Sequence, residues 1–403
     1  MKRFANGFAG TVGLTALLLG ATALAGGALA ATAPNPYASH PARGLSVSET
    51  PFGTMPDGQK VQMYHLKNAE GMEVDIITYG GAVQAIKVPD KNGKITDVAL
   101  GFDNLQGYLK TDTFFGALIG RYANRIAKGE FTLNGKTYHL PINNGPNTLH
   151  GGPKGFNTKV WAASPIEEPN AVGVELSLWS PNGEMGFPGD LAVNVRYTLD
   201  NNNDLRIHYT AESDRPTVIN LTNHTYYNLA GAGNGTVLDQ VAMINANKVT
   251  AMDDTEIPTG KMMDVAGTPL GFTTPTPIGE HIRADNQQLK YTEPKQGGYD
   301  FNYVLNDPGN LNALAASVTD PKSGRTIEMY TNEPGVQFYT GNFLHDVHGK
   351  DGKTYPHWGG FTLEAQHFPD SPNQPNFPST ELKPGQQYSQ TTIYKFLPTN
   401  LPS

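Results

Sequence analysis

Apolar and polar residues alternate through the middle of this chain, and the alternation limits the folds open to it. Three runs carry an apolar side chain at every second position: Val172, Val174, Leu176, Leu178; Leu191, Val193, Val195, Tyr197, Leu199; and Leu205, Ile207, Tyr209, Ala211. Side chains that repeat with period two lie on one face of a β-strand. The runs therefore predict half-buried strands, and no helix-period stretch of comparable length follows the first 30 residues.

Turn-forming pairs lie between and around the predicted strands. They are Asn92-Gly93, Asn134-Gly135, Asn182-Gly183 and Asp351-Gly352. Asn, Asp and Gly tolerate the left-handed backbone that hairpins need, and the chain contains 45 Gly and 30 Pro. With no internal repeat at a fixed spacing, these features predict an all-β fold, either a sandwich or a barrel.

The first residues predict a targeting segment. Met1-Lys2-Arg3 precedes an apolar run and the small residues Ala28-Leu29-Ala30, so 1–30 is predicted to be a signal peptide cleaved after Ala30. An uncleaved membrane anchor is the alternative. Residues 31–44, with three prolines and no periodicity, are predicted to be a disordered leader. Residues 45–403 show no linker and are predicted to form a single catalytic domain, exported to the periplasm or secreted.

Composition excludes several classes of function. The chain has no cysteine, so it has no thiol nucleophile and no thiolate metal site. A net charge of −8 with 16% charged residues argues against nucleic acid as a partner, because phosphate neutralisation needs a basic surface. A neutral, hydroxyl-rich small molecule is compatible with this charge balance.

Three separate segments each place a proton-carrying side chain among small or polar neighbours. His150 follows Asn147-Thr148-Leu149, His224 follows Asn220–Asn223, and Glu364 lies in Thr362–Gln366. Two histidines and a carboxylate are the groups of general acid-base chemistry, and no phosphate loop, nucleophile elbow or metal-ligand cluster accompanies them. The pattern predicts proton transfer on a neutral polar substrate without a metal.

These segments also resemble a known family, the aldose 1-epimerases or galactose mutarotases. The resemblance covers about residue 45 to the C-terminus and runs in the family's order through Gly120–Ile126, Leu149–Gly152, Gly186–Asp190, Asn220–His224, Gly298–Asp300, Pro334–Asn342 and Leu363–Gln366. It implies a large antiparallel β-sandwich, the galactose mutarotase-like supersandwich. It also implies interconversion of the α and β anomers of a free aldose, with no cofactor.

The resemblance assigns the catalytic roles to the three candidates. Glu364 is expected to be the base that takes the proton of the anomeric hydroxyl, and its nearly uncharged surroundings predict a raised pKa. His224 is expected to be the acid that protonates the ring oxygen, because histidine changes charge nearest neutral pH. His150, beside a glycine pair that would let the backbone approach a ligand, is expected to support that acid.

Four further residues match family positions that hydrogen-bond the sugar. They are Asn124, Arg125, Asp300 and Gln337. Amide, guanidinium and carboxylate groups fix the orientation of a neutral sugar, because a buried polar group left without a partner is costly. Outside the resemblance, an arginine in a turn is usually a surface charge.

Two other functions stay open at this point. Glu364 and Asp300 would also serve as the carboxylate pair of a glycosidase, whose stereochemistry depends on their separation. A non-catalytic sugar-binding module of the same fold is the other alternative, since fold alone does not decide function.

The N-terminal signal leads to the first prediction. In its native cell the chain should lose residues 1–30 and begin near Ala31, because the basic start, apolar run and small-residue site form one processing signal. Mass spectrometry of the purified protein measures this. Soluble cytoplasmic protein with an intact Met1 would contradict the prediction, and an intact membrane-bound chain would favour the anchor.

Overall fold

A computed structural model of the chain describes residues 41–292 and 297–398. The predicted signal peptide and residues 31–40 of the predicted leader lie outside these ranges. In the described part of the leader, the Ala42 N–H donates to the Pro169 carbonyl. The helices are short: α1 (Leu105–Leu109) and α2 (Gln287–Tyr291), with 3₁₀ turns at Ala127–Gly129, Phe156–Thr158, Glu184–Gly186, Lys350–Gly352 and Ser371–Asn373. No helix of the described residues is long and apolar enough to cross a membrane.

Strands make up most of the regular structure. The first are β1 (Ser46–Thr54), β2 (Lys60–Lys67), β3 (Glu73–Ile77), β4 (Val83–Pro89), β5 (Ile95–Asp97), β6 (Leu118–Ile119), β7 (Arg125–Ile126), β8 (Glu130–Leu133), β9 (Lys136–His139) and β10 (Thr148–Leu149). The next are β11 (Ala162–Glu168), β12 (Ala171–Ser180), β13 (Leu191–Asp200), β14 (Asp204–Ser213), β15 (Thr217–Val218), β16 (Thr222–Asn223), β17 (Val241–Ile244), β18 (Lys248–Met252), β19 (Pro258–Asp264) and β20 (Thr276–Pro277). The last are β21 (Asp300–Val304), β22 (Ala316–Thr319), β23 (Arg325–Thr331), β24 (Gly335–Tyr339), β25 (Val347–His348), β26 (Thr354–Tyr355), β27 (Thr362–Gln366), β28 (Glu381–Leu382) and β29 (Tyr388–Pro398).

Three large antiparallel sheets organise these strands. The widest has the order β11-β12-β13-β14-β29-β23-β22-β17-β20; the other two are β1-β2-β3-β4-β5 and β19-β18-β21-β24-β27. The alternating runs of the sequence become β12, β13 and β14, so those strand predictions are confirmed. The prediction of an all-β antiparallel sandwich is confirmed as well.

The β13–β14 hairpin shows how local sequence sets the register. Asp200 Oδ1 accepts hydrogen bonds from the backbone N–H groups of Asn202 (2.8 Å) and Asp204 (3.1 Å), and Asn203 has φ = 61°. An Asx turn with a left-handed asparagine closes the loop, and Leu199 then lies opposite Leu205. Their side chains, both buried, fall on the core face.

The sheet β19-β18-β21-β24-β27 packs one face against the nine-stranded sheet. Tyr394 Oη and Gln390 Nε2 of β29 donate to the carbonyls of Leu363 (2.7 Å) and Ala365 (3.1 Å) in β27. Apolar side chains such as Phe338 fill the space between the sheets. Burying each large apolar side chain contributes about 1.5–3 kcal/mol, so this interface stabilises β21, β24 and β27.

The opposite face of the same three strands is buried but polar. It carries Asp300 and Asn302 on β21, Gln337 on β24, and Glu364 and Gln366 on β27, all in alternate positions. Burial of polar groups is costly unless they are hydrogen-bonded. Such a face is therefore a place to look for function.

A buried arginine joins the nine-stranded sheet to the first five-stranded sheet. Arg325 of β23 is 3% exposed. Its guanidinium donates to the carbonyls of Val88 (3.2 Å), Leu229 (3.1 Å) and Lys94 (2.8 Å) and to Thr96 Oγ1 (2.9 Å). One side chain thus satisfies three buried or half-buried carbonyl groups at the junction.

Arg325→Met should lower the free energy of unfolding by about 3 kcal/mol or more, because it leaves several buried acceptors without donors. Urea unfolding followed by circular dichroism measures the change. Arg206→Met, on the exposed face of β14, is the matched control, and its free energy of unfolding should stay within about 0.5 kcal/mol of that of the wild type. Equal losses in the two variants would contradict a role for the buried network.

Candidate active site

Three adjacent strands form the floor of the site. Gln337 on β24 lies directly opposite both Asn302 on β21 and Glu364 on β27. Gln337 Nε2 donates to Asp300 Oδ1 (2.7 Å), and Gln366 Nε2 donates to Gln337 Oε1 (3.1 Å). The hydrogen bonds run across the sheet and fix the side chains relative to one another.

Two short strand pairs bring the histidines to this floor. β16 pairs with β6, and the His224 N–H donates to the Ala117 carbonyl (2.9 Å). β10 pairs with β7, and the His150 N–H donates to the Asn124 carbonyl (2.9 Å). Residues far apart in sequence therefore reach one site through backbone pairing, which positions them more rigidly than a free loop would.

A cavity of about 340 Å³ lies between the floor and these segments. This volume falls in the lower part of the range of small-molecule sites, roughly 300–1,000 Å³. Six of the seven predicted site residues line it: Asn124, Arg125, His150, His224, Asp300 and Glu364. Gln337 does not line it and instead holds Asp300, so its direct contact with a sugar stays a prediction.

Glu364 has the environment of a general base. Thr362 Oγ1 donates to its Oε1 (2.8 Å), and His224 Nε2 lies 3.5 Å from the same oxygen. Within the described residues its buried Oε2 has no hydrogen-bond partner. Burial, with Asp300 as a smaller contribution, raises the pKa of Glu364 to about 8, although Thr362 and Arg125 oppose the rise. The raised pKa agrees with the direction expected from the sequence.

Aromatic rings surround His224 on several sides. Its ring centroid is 5.1 Å from those of Tyr226 and His150 and 5.7 Å from that of Phe114. Burial lowers the pKa of His224 to about 4. The sequence predicts a histidine that changes charge near neutral pH. The fold instead removes water from around the ring, so the imidazole of the protein without sugar is uncharged at neutral pH.

His150 is held with a defined tautomer. Its Nδ1 accepts the backbone N–H of Asn124 (3.1 Å), so the hydrogen of the neutral ring is on Nε2. Burial, then His224 and Arg125, hold the pKa of His150 well below its usual value. The neighbouring Gly151 serves packing: a Cβ there would lie 2.0 Å from the Gly120 carbonyl oxygen. Because Nε2 carries the ring hydrogen and the pKa is low, His150 is a hydrogen-bond donor rather than a proton acceptor.

Arg125 is buried, unlike the surface arginine that its turn sequence would suggest. Its Nε donates to Asn144 Oδ1 (3.0 Å), and its Nη2 pairs with the Glu256 carboxylate. Asn124, with φ = 62°, accepts the Arg125 N–H through its own Oδ1 (2.9 Å). Asn144 and Glu256 were not predicted, and no periodicity or motif in their segments signals them.

Comparison with known proteins agrees with the geometry. A sequence model of the family described as aldose 1-epimerase matches residues 62–395. The chain belongs to the aldose 1-epimerase family. It is 44% identical to the galactose mutarotase of Bos taurus over 87% of this chain and 99% of that protein. It is 36% identical to the aldose 1-epimerase of Escherichia coli over 87% and 99% of the two chains.

Solved structures of the family have the same fold. The galactose 1-epimerase of Lactobacillus acidophilus superposes with a TM-score of 0.77 at 27% identity, covering 88% of this chain and all of that one. An aldose epimerase homologue from C. elegans gives 0.75 at 28% identity with the same coverage. The resemblance seen in the sequence, and the sandwich that it implied, are confirmed.

The histidines and Glu364 also have the composition of a metal site. One potential ligand atom from each of His150, His224 and Glu364 lies within 4.8 Å of the others. The hydrogen bond from Asn124 to His150 Nδ1 argues against this use, because it puts the ring hydrogen on Nε2, whereas a ligating nitrogen carries none. In this aldose 1-epimerase family member the trio is better suited to proton transfer.

Proposed function

We propose that the chain is an aldose 1-epimerase that interconverts the α and β anomers of free aldohexoses such as D-glucose and D-galactose. The observation that carries the proposal is the pair of buried side chains Glu364 and His224, 3.5 Å apart in a cavity of sugar size. Their pKa values are shifted in opposite directions by burial. Pairs of groups whose pKa values are shifted in this way are typical of acid-base sites.

Ring opening needs one proton removed and one supplied. Glu364 takes the proton of the O1 hydroxyl through its unpartnered oxygen, and His224 gives a proton to the ring oxygen O5 as the C1–O5 bond breaks. The aldehyde forms, the C1–C2 bond rotates, and closure reverses both transfers. No proton is consumed, and each positioned group contributes roughly 10²–10⁴ in rate.

The proton count of the pair explains why the pKa shifts suit this reaction. With the cyclic sugar bound, reaction starts from ionised Glu364 and protonated His224; with the open aldehyde, both are neutral. The two states hold the same number of protons. A dry cavity favours the neutral pair, so burial stabilises the open-chain complex, which is the less stable form of the sugar in water.

The remaining groups orient the sugar. His150 Nε2–H, Arg125 and the amide of Asn124 supply hydrogen-bond donors, and Asp300 supplies acceptors. Gln337 acts through Asp300, to which it donates. A neutral sugar with several hydroxyls needs such a mixed set, because each buried group left without a partner weakens binding.

Polarimetry on freshly dissolved α-D-glucose and α-D-galactose tests the proposal, with and without protein and with EDTA added. Accelerated mutarotation that EDTA does not affect supports it. Saturable binding without acceleration would favour a sugar-binding module. Hydrolysis of an aryl glycoside would favour a glycosidase using Glu364 and Asp300.

We also propose that this activity lies outside the cytoplasm, in the periplasm or the medium. The support is the N-terminal signal-like segment, residues 1–30. Free aldoses that cells take up or release would be the substrates there, and the proposal includes no nucleic acid partner and no membrane anchor after cleavage.

Glu364→Gln and His224→Asn should each abolish most anomer exchange while largely preserving sugar binding, because each keeps approximate size but removes the proton function. The double mutant should be little worse than the worse single mutant, as for groups that act as one unit. Asp300→Asn and Gln337→Ala should instead weaken binding. Polarimetry gives the rates, and titration calorimetry gives the affinities.

His208→Asn, on β14 in the nine-stranded sheet, is the matched histidine control and should keep wild-type kinetics. Circular dichroism shows whether each variant is folded. A folded Glu364→Gln variant with wild-type mutarotation would refute the assignment of the base.

The pH dependence of kcat/KM should be bell-shaped. Below about 4, Glu364 and His224 are both protonated and no base remains; above about 8, both have lost their protons and no acid remains. Anomer exchange measured by NMR, with the buffer-catalysed rate subtracted, gives the profile. A rate that rises steadily through pH 9 would contradict a shared-proton pair.

A further inference from the structure

Arg125, which carries the positive charge of the site, pairs with a buried carboxylate outside the floor of the cavity. Among the described residues that line the cavity, Arg125 is the only lysine or arginine. It lowers the pKa of both Asp300 and Glu364, in each case against a larger rise caused by burial. Its own carboxylate partner, however, is Glu256, which comes from outside the floor of the site.

Glu256 lies in a rigid turn between β18 and β19. Asp253 Oδ1 accepts from the backbone N–H of Thr255 (2.8 Å) and of Ile257 (3.1 Å), and the Glu256 N–H donates to the Asp253 carbonyl (3.0 Å). Asn147 Nδ2, in the segment that leads to His150, donates to the Thr255 carbonyl (3.2 Å). The turn is therefore tied to the wall of the active site.

The backbone of Glu256 is strained. Its φ of 63° is in the left-handed region, which favours glycine or asparagine over glutamate. Such a conformation is uncommon for residues other than glycine, and strained residues of this kind cluster at functional sites. The side chain of Glu256 is 10% exposed and that of Arg125 is 5% exposed. A glutamate in this position is thus justified by what its carboxylate contacts.

We propose that Glu256 is a positioning residue for the epimerase reaction. It holds the Arg125 guanidinium in place for the sugar and neutralises its charge, so that Glu364 stays a strong enough base to deprotonate O1. This inference rests on the proposed function, because it assigns Glu256 a role in that same site.

The sign of the effect follows from electrostatics. With Glu256 ionised, the Glu256–Arg125 pair is neutral overall. Without that carboxylate, a net positive charge faces the cavity, which favours ionised Glu364 and disfavours protonated His224. The pKa of Glu364 and the pKa of His224 therefore both fall. The whole bell-shaped profile therefore moves to lower pH.

Other charged groups surround the pair from several elements. Asp253 belongs to the same turn, and the Asp370 N–H donates to the Arg125 carbonyl (2.8 Å) from the loop after β27. Asp300, Glu364, His150 and His224 face the cavity. Tyr226 and Tyr339 stay neutral, because burial raises the pKa of both well above the usual range. Replacing Glu256 alone keeps all of these side chains and removes only the charge of its own carboxylate.

The test compares two neutral replacements with one that keeps the charge. Glu256→Gln keeps the shape, and Glu256→Asn suits the left-handed backbone. Both should move the two limbs of the kcat/KM profile to lower pH by about half a unit to one unit and raise KM about fivefold through a less ordered Arg125. Glu256→Asp should restore the limbs toward wild type. Glu168→Gln is the control: it removes a half-exposed carboxylate on the edge strand β11 that pairs with Arg196, and it should leave the kcat/KM profile unchanged.

A direct titration separates this inference from the activity itself. In protein with ¹³C-labelled glutamate carboxyls, the Glu364 signal, identified by its loss in Glu364→Gln, should titrate at lower pH in Glu256→Gln than in wild type. A wild-type chain that epimerises no aldose would refute the proposed function. An unshifted Glu364 titration and unshifted limbs in the folded neutral variants would refute the role of Glu256, whatever the activity.

Discussion

Desolvation of one carboxyl group, that of Glu364, determines how this site works. The apolar face of β27 packs against β29, and its opposite face is also closed to bulk water, since Glu364 is 2% exposed. A carboxylate in that position loses most of its hydration and, within the part of the chain that the structure describes, gains a single hydroxyl partner, Thr362. The pKa of Glu364 consequently rises, and a group that is a weak base in water becomes an effective one.

Four residues that line the cavity or pair with a residue that lines it have a strained backbone. Phe114, Asn124, His150 and Glu256 all have φ between 51° and 63°, although none is glycine. Each such residue costs on the order of 1–3 kcal/mol. The strand pairs and turn hydrogen bonds that hold them are local, but the stability that compensates comes from the core shared by the large sheets. Stability and function therefore occupy opposite faces of β21, β24 and β27.

Sequence reasoning succeeded where a signal is local. The β12–β14 strands follow from period two, the β13–β14 turn follows from its aspartate and asparagines, and the family follows from seven short segments in order. It failed where an environment is assembled from distant parts of the chain. The low pKa of His224 depends on its burial beside Phe114 and His150, which come from distant segments, and the Arg125 side chain is buried beside Glu256, which is also distant in sequence.

The sequence by itself determined the fold class, the family and six residues that line the cavity, because side-chain period and short motifs are properties of neighbouring residues. Only the tertiary structure decided the protonation states, the tautomer of His150 and the second partner of Arg125. These depend on distance, burial and hydrogen bonding between residues as much as 239 positions apart, as with Arg125 and Glu364. Electrostatic free energy is set by separation in space and exposure to water, neither of which can be read along the chain.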